Sequence, residues 1–302
     1  MKREQVECIW PVEATLGEGP VWVAGQDGAA ALYFVDIKGR KLHRCAEDGR
    51  ARQSWDLPAE TGFALPMDDG GLVCGMPGRL MRFAPDTGAV TPLLALEQTP
   101  DLAGNRLNDG YVDRHGSLWF GSMDNGEARA SGALYRWDAS SGSEAERIDG
   151  GYVITNGPAA SPDGRTFYHT DTLEKTIYAY DADERGALSG KRVFVRIAGD
   201  GYPDGSTVDA DGCVWVALFG GARIERYAPS GALLHTVPMP CSNITKIAFG
   251  GADLRTVFVT TARKGLSIEE LSRQPLAGSV FRFRAETPGL PQHHFSSGQA
   301  HD

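Results

Sequence analysis

The stretch NGPAASPDGRTFYHTD at residues 156–171 contains the pattern that decides the fold. Asn156 lies eight residues before Gly164 of a Pro-Asp-Gly turn, and the turn leads into FYHTD at residues 167–171. A turn of this kind beside a run of aromatic and β-branched residues is typical of a β-hairpin. A second such run, TIYAY at residues 176–180, follows it. The segment therefore predicts strand, turn and strand.

The same order of runs and turns recurs along the whole chain. Equivalent apolar runs begin at residues 33, 72, 118, 167, 214 and 257, which are 39 to 49 residues apart. Six units of this length predict an all-β fold, a six-bladed β-propeller with four-stranded blades around a central channel. We expect residues 6–10 to pair with the last blade and close the ring. Residues 1–302 then form a single propeller domain, with an extended or frayed tail over about 286–302.

One helix is expected within the last unit. The sequence SIEE at residues 267–270 is a capping-box pattern, in which a serine and a glutamate three residues later satisfy each other's backbone donors. We therefore predict a short helix that begins at this point.

Composition excludes several classes of protein. The 302 residues are 41% hydrophobic and 23% charged, which is ordinary globular usage, and 38 glycines supply many turns. The net charge is −9 and no basic tract is present, so nucleic acid is not an expected partner. No apolar run reaches the length of a membrane span, and the five cysteines are scattered without a CxxC pair. We expect a cytoplasmic monomer or weak homo-oligomer that binds no membrane.

The turn register also aligns polar residues. Asn108, Asn156 and Asp204 each lie eight residues before the glycine of a turn, and EGP at residues 18–20 matches NGP at 156–158. We expect these residues just before the first strand of each blade, where they would meet at one mouth of the channel. Glu18, Asn156 and Asp204, with Asn108 as a further candidate, would form an oxygen-only cluster suited to a divalent cation. The competing interpretation is that these residues are only favourable turn residues.

Four segments resemble the family of senescence marker protein (regucalcin), gluconolactonase and luciferin-regenerating enzyme. They are LGEGP at residues 16–20, NRLNDG at 105–110, ITNGP at 154–158 with SPDG at 161–164, and YPDG at 202–205, and the resemblance covers about residues 5–285. Residues 167–178 look closest to bacterial sugar lactonases of the xylonolactonase type. The resemblance implies that Glu18, Asn156 and Asp204 bind the metal.

The resemblance also implies which residues hold the substrate. Arg106 and Asn108 would bind the sugar. Mammalian members carry a sugar-contacting glutamate in the loop after Met123, where this chain reads DNGE at residues 124–127. Asp124 or Glu127 would then take that role.

The implied activity is metal-dependent hydrolysis of a sugar aldonolactone to the aldonic acid. The substrate would be a pentonolactone, such as xylono- or arabinonolactone, or a hexonolactone. One divalent ion, Ca, Zn, Mn, Mg or Fe(II), would activate water. Asp204 is the preferred general base, and Asp109 is the alternative.

Two alternatives to a sugar lactonase stay open. The same metal and water could act on another ester, an organophosphate or an acyl-homoserine lactone, or the propeller could be a non-catalytic calcium-binding protein or scaffold. Serine-nucleophile chemistry is disfavoured, because the chain has no Gly-x-Ser-x-Gly segment. His169 is expected to be a hydrogen-bonded core residue rather than a catalytic one.

Overall fold

The architecture is a ring of six β-sheets in a computed structural model that describes residues 5–24, 30–140 and 142–298. In chain order the first strands are β1 (Glu7–Trp10), β2 (Gly17–Val23), β3 (Ala31–Asp36), β4 (Lys41–Cys45), β5 (Gln53–Asp56), β6 (Ala64–Pro66), β7 (Leu72–Met76), β8 (Arg79–Ala84), β9 (Ala89–Ala95), β10 (Asn105–Val112), β11 (Leu118–Asp124) and β12 (Gly132–Trp137). They are followed by β13 (Glu146–Tyr152), β14 (Thr155–Ala160), β15 (Thr166–Asp171), β16 (Thr176–Ala182), β17 (Leu188–Arg196), β18 (Tyr202–Val208), β19 (Val214–Phe219), β20 (Arg223–Tyr227), β21 (Leu233–Pro238), β22 (Ile244–Gly250), β23 (Thr256–Thr261), the helix α1 (Ile268–Arg273) and β24 (Val280–Arg284).

Each sheet is one antiparallel blade of four strands. Blades 1 to 5 are β2 to β5, β6 to β9, β10 to β13, β14 to β17 and β18 to β21, and blade 6 has the order β22, β23, β24, β1. The first strands of the blades, called inner strands below, contact one another in ring order, and β22 of the last blade contacts β2 of the first. The predicted six-bladed propeller is confirmed, and so is its closure by the N-terminal strand.

The predicted helix is also present. Ser267 caps α1, and Ser267 and Glu270 form both hydrogen bonds of the capping box. No helix among the described residues is both long enough and apolar enough to cross a membrane.

The apolar runs from which the repeat was recognised form the second strand of each blade. These strands are β3, β7, β11, β15, β19 and β23, and their buried side chains make up much of the core. The inner strands were not recognised, because all of them except β22 interrupt the apolar pattern with glycine or proline and contain few β-branched residues. Their small residues allow close packing near the channel axis. A Cβ on Gly110, for example, would lie 3.0 Å from the buried ring of Phe63.

This assignment corrects the expected position of the polar residues. Glu18, Asn108, Asn156 and Asp204 do not precede the innermost strands but lie within them, in β2, β10, β14 and β18. In each of these strands the pairing register shifts next to or at the polar residue. Such β-bulges re-aim side chains, and here they occur at one end of the channel.

The C-terminal segment lies at the opposite end. Residues 286–298 form no strand or helix, but the backbone N–H of Phe295 donates to Pro66 O over 2.8 Å and that of Gly289 to Leu254 O over 2.7 Å. The Phe295 side chain is fully buried. A cavity of about 90 Å³ inside the channel is lined partly by residues 290–293 of this segment. The part of the predicted tail at residues 299–302 lies outside the described residues.

Replacing Phe295 by alanine is expected to destabilise the fold by about 3–5 kcal/mol, the usual effect of deleting a buried phenylalanine ring. The ring packs against Trp137 with centroids 4.9 Å apart, so its loss leaves a cavity where the segment meets blades 2 and 3. Urea unfolding measures the change. His294→Ala, which alters an exposed neighbour, is the control. An equal effect of both variants would contradict anchoring by Phe295.

Candidate functional site

Four inner strands bring the aligned polar residues together at one end of the channel. Asn108 donates through Nδ2 to Asn156 Oδ1 over 3.0 Å and to the backbone oxygen of Thr155 over 2.7 Å. Glu18 and Asp204 also lie close together, since the charge of Glu18 raises the pKa of Asp204. All four side chains belong to residues that are at least nine-tenths buried.

The Glu18 carboxylate is only half satisfied. Its Oε2 accepts a hydrogen bond from the backbone N–H of Gly19 over 2.5 Å, whereas its buried Oε1 has no partner among the described residues. Burial, helped by the negative charge of the nearby Asp109 and opposed by Lys246, raises the pKa of Glu18 to about 8. A buried carboxylate with a free oxygen is stabilised by a cation.

Asp204 has a similar environment. Burial raises the pKa of Asp204 well above its ordinary value, and the charges of Glu18 and Asp109 add to that effect. No described residue donates a hydrogen bond to its carboxylate. Asp204 therefore offers unused oxygens toward Glu18.

The donor set fits a divalent cation. Asn156 donates through Nδ2 to Thr172 Oγ1 over 3.0 Å, which fixes the amide so that its oxygen faces Asn108. A carbonyl oxygen has two lone pairs, so it can accept that bond and still coordinate a cation. Among the described residues no three His, Cys, Asp or Glu side chains are placed to hold a metal by themselves. A site built from Glu18 and Asp204 would therefore be completed by another kind of ligand, for which the Asn156 oxygen is the candidate.

Asp109, the alternative base, is already engaged. It is fully buried, forms an ion pair with Lys246, and accepts hydrogen bonds from the backbone N–H groups of Gly110 over 2.7 Å and Gly157 over 2.9 Å. Both of its oxygens thus have donors. This environment favours Asp204 over Asp109 as a proton acceptor.

Arg106 lies directly beside the cluster. Its Nη1 donates to Asn108 Oδ1 over 2.5 Å, and its Nε donates to Asn125 Oδ1 over 3.0 Å. Within the described part of the chain its Nη2 has no hydrogen-bond partner. Lys38 holds the same Asn125 oxygen over 2.8 Å and pairs with Glu60 over 3.1 Å. The guanidinium is therefore fixed in place, and its Nη2 group is left to donate to a ligand.

Asp124 and Glu127, the two candidates for contacting the sugar in the loop after β11, differ in their contacts. Asp124 accepts hydrogen bonds from the backbone N–H groups of Ala128 and Arg129 and pairs with the Arg129 guanidinium over 3.0 Å, and these contacts lower the pKa of Asp124. It shapes the loop. Glu127 has a left-handed backbone, φ 57°, and its carboxylate pairs with Lys264 from blade 6. Its side chain is 36% exposed, against 7% for Asp124, and its charge acts on Arg106, so Glu127 is the more accessible of the two to a ligand.

Several residues around this end of the channel were not predicted from the sequence. They are Lys38, Glu60, Asn125, Lys246 and Lys264. Lys38, Glu60, Asn125 and Lys264 do not follow the turn register. Lys246 lies eight residues before Leu254, which has a φ of 56° and donates its N–H to Gly251 O, as the turn glycines of blades 3 to 5 do to their own turns. Because Leu254 is not a glycine, alignment on the turn glycines did not reach Lys246. The LNDG segment did place Asp109, but nothing in the sequence paired it with Lys246.

His169 is a core residue, as expected, but the expected hydrogen bond is not there. Within the described residues neither ring nitrogen has a partner, and burial lowers the pKa of His169 to about 3. The ring packs edge-on against Tyr152 with centroids 4.8 Å apart. It therefore stays neutral and takes no part in the candidate site.

The cation-free protein is expected to lose stability as pH rises between the two pKa values of Glu18. The ordinary pKa is 4.5 and the folded pKa is about 8, so across that window the unfolded chain releases a proton that the folded state retains. Stability present below the lower value is then lost as pH rises through the higher one. Urea unfolding of chelator-treated protein across this window measures the slope. Glu18→Gln should reduce it, and an unchanged slope would contradict the assignment.

Comparisons with known proteins agree with one another. The family model described as SMP-30/Gluconolactonase/LRE-like region matches residues 16–263. The chain is 37% identical to L-arabinolactonase of Azospirillum brasilense, covering 97% of this chain and 96% of the relative, and 35% identical to 6-deoxy-6-sulfogluconolactonase of Pseudomonas putida, covering 96% and 98%. Its fold is similar to that of regucalcin from Agrobacterium tumefaciens, described as a calcium-binding protein, with a TM-score of 0.90, 27% identity and coverage of 97% and 98%.

Proposed function

The chain belongs to the SMP-30/gluconolactonase/LRE-like family, and from this premise we propose that it hydrolyses a sugar aldonolactone to the aldonic acid with a divalent cation held by Glu18, Asn156 and Asp204. The observation that carries the proposal is the pair of buried carboxylates, Glu18 and Asp204, beside the bonded series from Arg106 to Asn156. The two lactonases to which the chain is similar act, by their names, on sugar lactones of different size. We propose a pentonolactone or hexonolactone as the substrate class.

The cation would contribute Lewis acidity, since a divalent ion polarises a carbonyl oxygen and makes water more acidic. The rest of the reaction falls to the side chains. Asp204 accepts the proton of the attacking water at its carboxylate, because no described residue donates a hydrogen bond to that carboxylate and a carboxylate that binds a cation through one oxygen keeps the other free. The same proton is then available to the ring oxygen that leaves when the lactone opens.

Arg106 orients the lactone and stabilises the negative charge that develops on its carbonyl oxygen. The hydrogen bonds to Asn108 and Asn125 fix the guanidinium before substrate arrives, and preorganised donors of this kind lower the barrier without further rearrangement. Asn108 couples this arginine to the Asn156 amide. Substrate position and cation position are thereby held by one network.

The character of the channel mouth favours a hydroxyl-rich substrate over the acyl-chain alternative. The residues described there are charged or amide side chains, namely Lys38, Glu60, Asn125, Glu127 and Lys264. An acyl-homoserine lactone would need an apolar trough for its chain. A calcium-binding role without catalysis would use the same carboxylates, so the experiment below must distinguish it from hydrolysis. Cytoplasmic location stays a prediction.

The test is acid release from xylono-, arabinono-, galactono- and gluconolactone, followed with a pH indicator. The protein is stripped with a chelator and then given Ca, Mg, Mn, Zn or Fe(II) one at a time, with spontaneous hydrolysis as the baseline. We expect cation-dependent acceleration for at least one sugar. If the wild type binds a cation but accelerates none of the lactones, the lactonase proposal is wrong and the calcium-binding alternative gains support.

A further inference from the structure

We propose that Lys246 is a resident cation beneath the candidate metal site, and that its ion pair with Asp109 sets how tightly Glu18 and Asp204 hold a divalent ion. This inference rests on the metal site of the proposed function. It concerns a residue outside the aligned motifs, on the inner strand of blade 6.

The Lys246–Asp109 pair is buried at the centre of the ring. The side chains of Lys246 and Asp109 are 9% and 1% exposed, and the ammonium group contacts the Asp109 carboxylate. The ammonium also lies 3.5 Å from the backbone oxygen of Gly110. A buried lysine without its carboxylate would be strongly unfavourable, so the two residues form a unit that joins blade 6 to blade 3.

The pair touches the chain next to two of the three proposed ligands. The stem of Lys246 lies against Gly205, the residue after Asp204, where an added Cβ would approach the Lys246 Cγ to 2.4 Å. Asp109 accepts a hydrogen bond from the backbone of Gly157, the residue after Asn156, over 2.9 Å. Gly205 therefore leaves the space that the lysine stem fills, and both ligand strands rest on this pair.

Charge balance explains what the lysine does there. With a divalent cation bound, Glu18 and Asp204 would be deprotonated, so together with Asp109 they would bring three negative charges to the channel, and Lys246 brings one positive charge among them. The remaining two negative charges match a divalent cation. Arg106 and Lys264 also act on Asp204 from the mouth side, and they are unchanged in the variants below. Without Lys246 the carboxylates would repel one another more strongly and attract a cation more strongly.

The experiment is calorimetric titration of chelator-stripped protein with Ca²⁺, together with the melting temperature of each form. Lys246→Met keeps most of the stem over Gly205 but removes its charge, and we expect Ca²⁺ to bind about tenfold or more tightly while the calcium-free protein melts earlier. Asp109→Asn should do the reverse, weakening Ca²⁺ binding by a similar factor. The double variant restores the original charge balance, and its affinity should return to within a few-fold of wild type.

Lys41→Met is the matched control, since Lys41 pairs with Asp56 on exposed outer strands far from the channel. It should leave Ca²⁺ affinity unchanged. Equal or weaker Ca²⁺ binding by folded Lys246→Met, or tighter binding by Asp109→Asn, overturns the inference. If Lys246→Met does not fold, the direction of the Asp109→Asn change decides. A wild type that binds no Ca²⁺ or Mn²⁺ overturns the metal site itself, whereas loss of lactonase activity alone leaves this inference standing.

Discussion

Replacing Asp204 by asparagine is expected to reduce kcat for sugar-lactone hydrolysis by about 10²–10⁴-fold, the usual contribution of a positioned general base. Asparagine has nearly the same shape but cannot accept the proton from water, and it removes one of the two carboxylates of the cation site. Because that carboxylate is buried with a raised pKa, its neutral replacement should leave the cation-free fold at least as stable as before. Steady-state acid release with saturating cation measures the loss.

Two comparisons separate chemistry from folding in this experiment. Asp211→Asn alters an exposed aspartate of the same blade, in the turn after the inner strand at the far end of the channel, and should retain full activity. Glu18→Gln should resemble Asp204→Asn in activity and should also weaken Ca²⁺ binding. If folded Asp204→Asn retains wild-type kcat, then Asp204 is not the base, and Asp109 returns as the candidate despite its occupied oxygens.

The second large effect is expected from Arg106→Met, for which kcat/KM should fall about 10²–10³-fold, the range seen when a preorganised oxyanion donor is removed. The arginine is 3% exposed and bonds to Asn108 and Asn125. Methionine fills part of its volume but leaves the Asn108 oxygen without this donor, whereas Lys38 still donates to Asn125. Arg106→Lys keeps the charge without the planar fork and should recover only part of the loss. Steady-state kinetics on the preferred lactone give the comparison.

Two measurements test whether Arg106→Met lowers activity by disturbing the cation site rather than by loss of the arginine's contact with the lactone. They are the Ca²⁺ affinity of this variant and the activity of a surface variant. Ca²⁺ affinity of Arg106→Met should not fall with kcat/KM, because the arginine is not a proposed ligand and the charge that is removed from beside Asp204 is positive. Arg165→Met, at an exposed turn at the far end of the channel, should be silent in both measurements. A parallel collapse of Ca²⁺ affinity and activity in Arg106→Met would mean that the arginine supports the metal site rather than the lactone.

Much of the candidate site was predictable because it follows the repeat. Each blade forms its hairpins from local turns, so residues at the same distance from those turns occupy equivalent places around the ring. This reasoning located Glu18, Asn156, Asp204 and Asn108 at one end of the channel. It misplaced them by one strand, because the inner strands carry glycine and proline where strand propensity calls for β-branched residues.

The sequence by itself determined the number of blades, the closing strand, the capped helix and the alignment of the oxygen donors, because all of these depend on short-range patterns repeated at a regular interval. Only the tertiary structure decided that Asp109 pairs with Lys246, that Glu127 pairs with Lys264 while Asp124 holds its own loop, and that Phe295 anchors the C-terminal segment. These contacts join residues far apart in the chain, and their partners are chosen when the ring closes. Local periodicity carries no information about which side chains then meet across the channel.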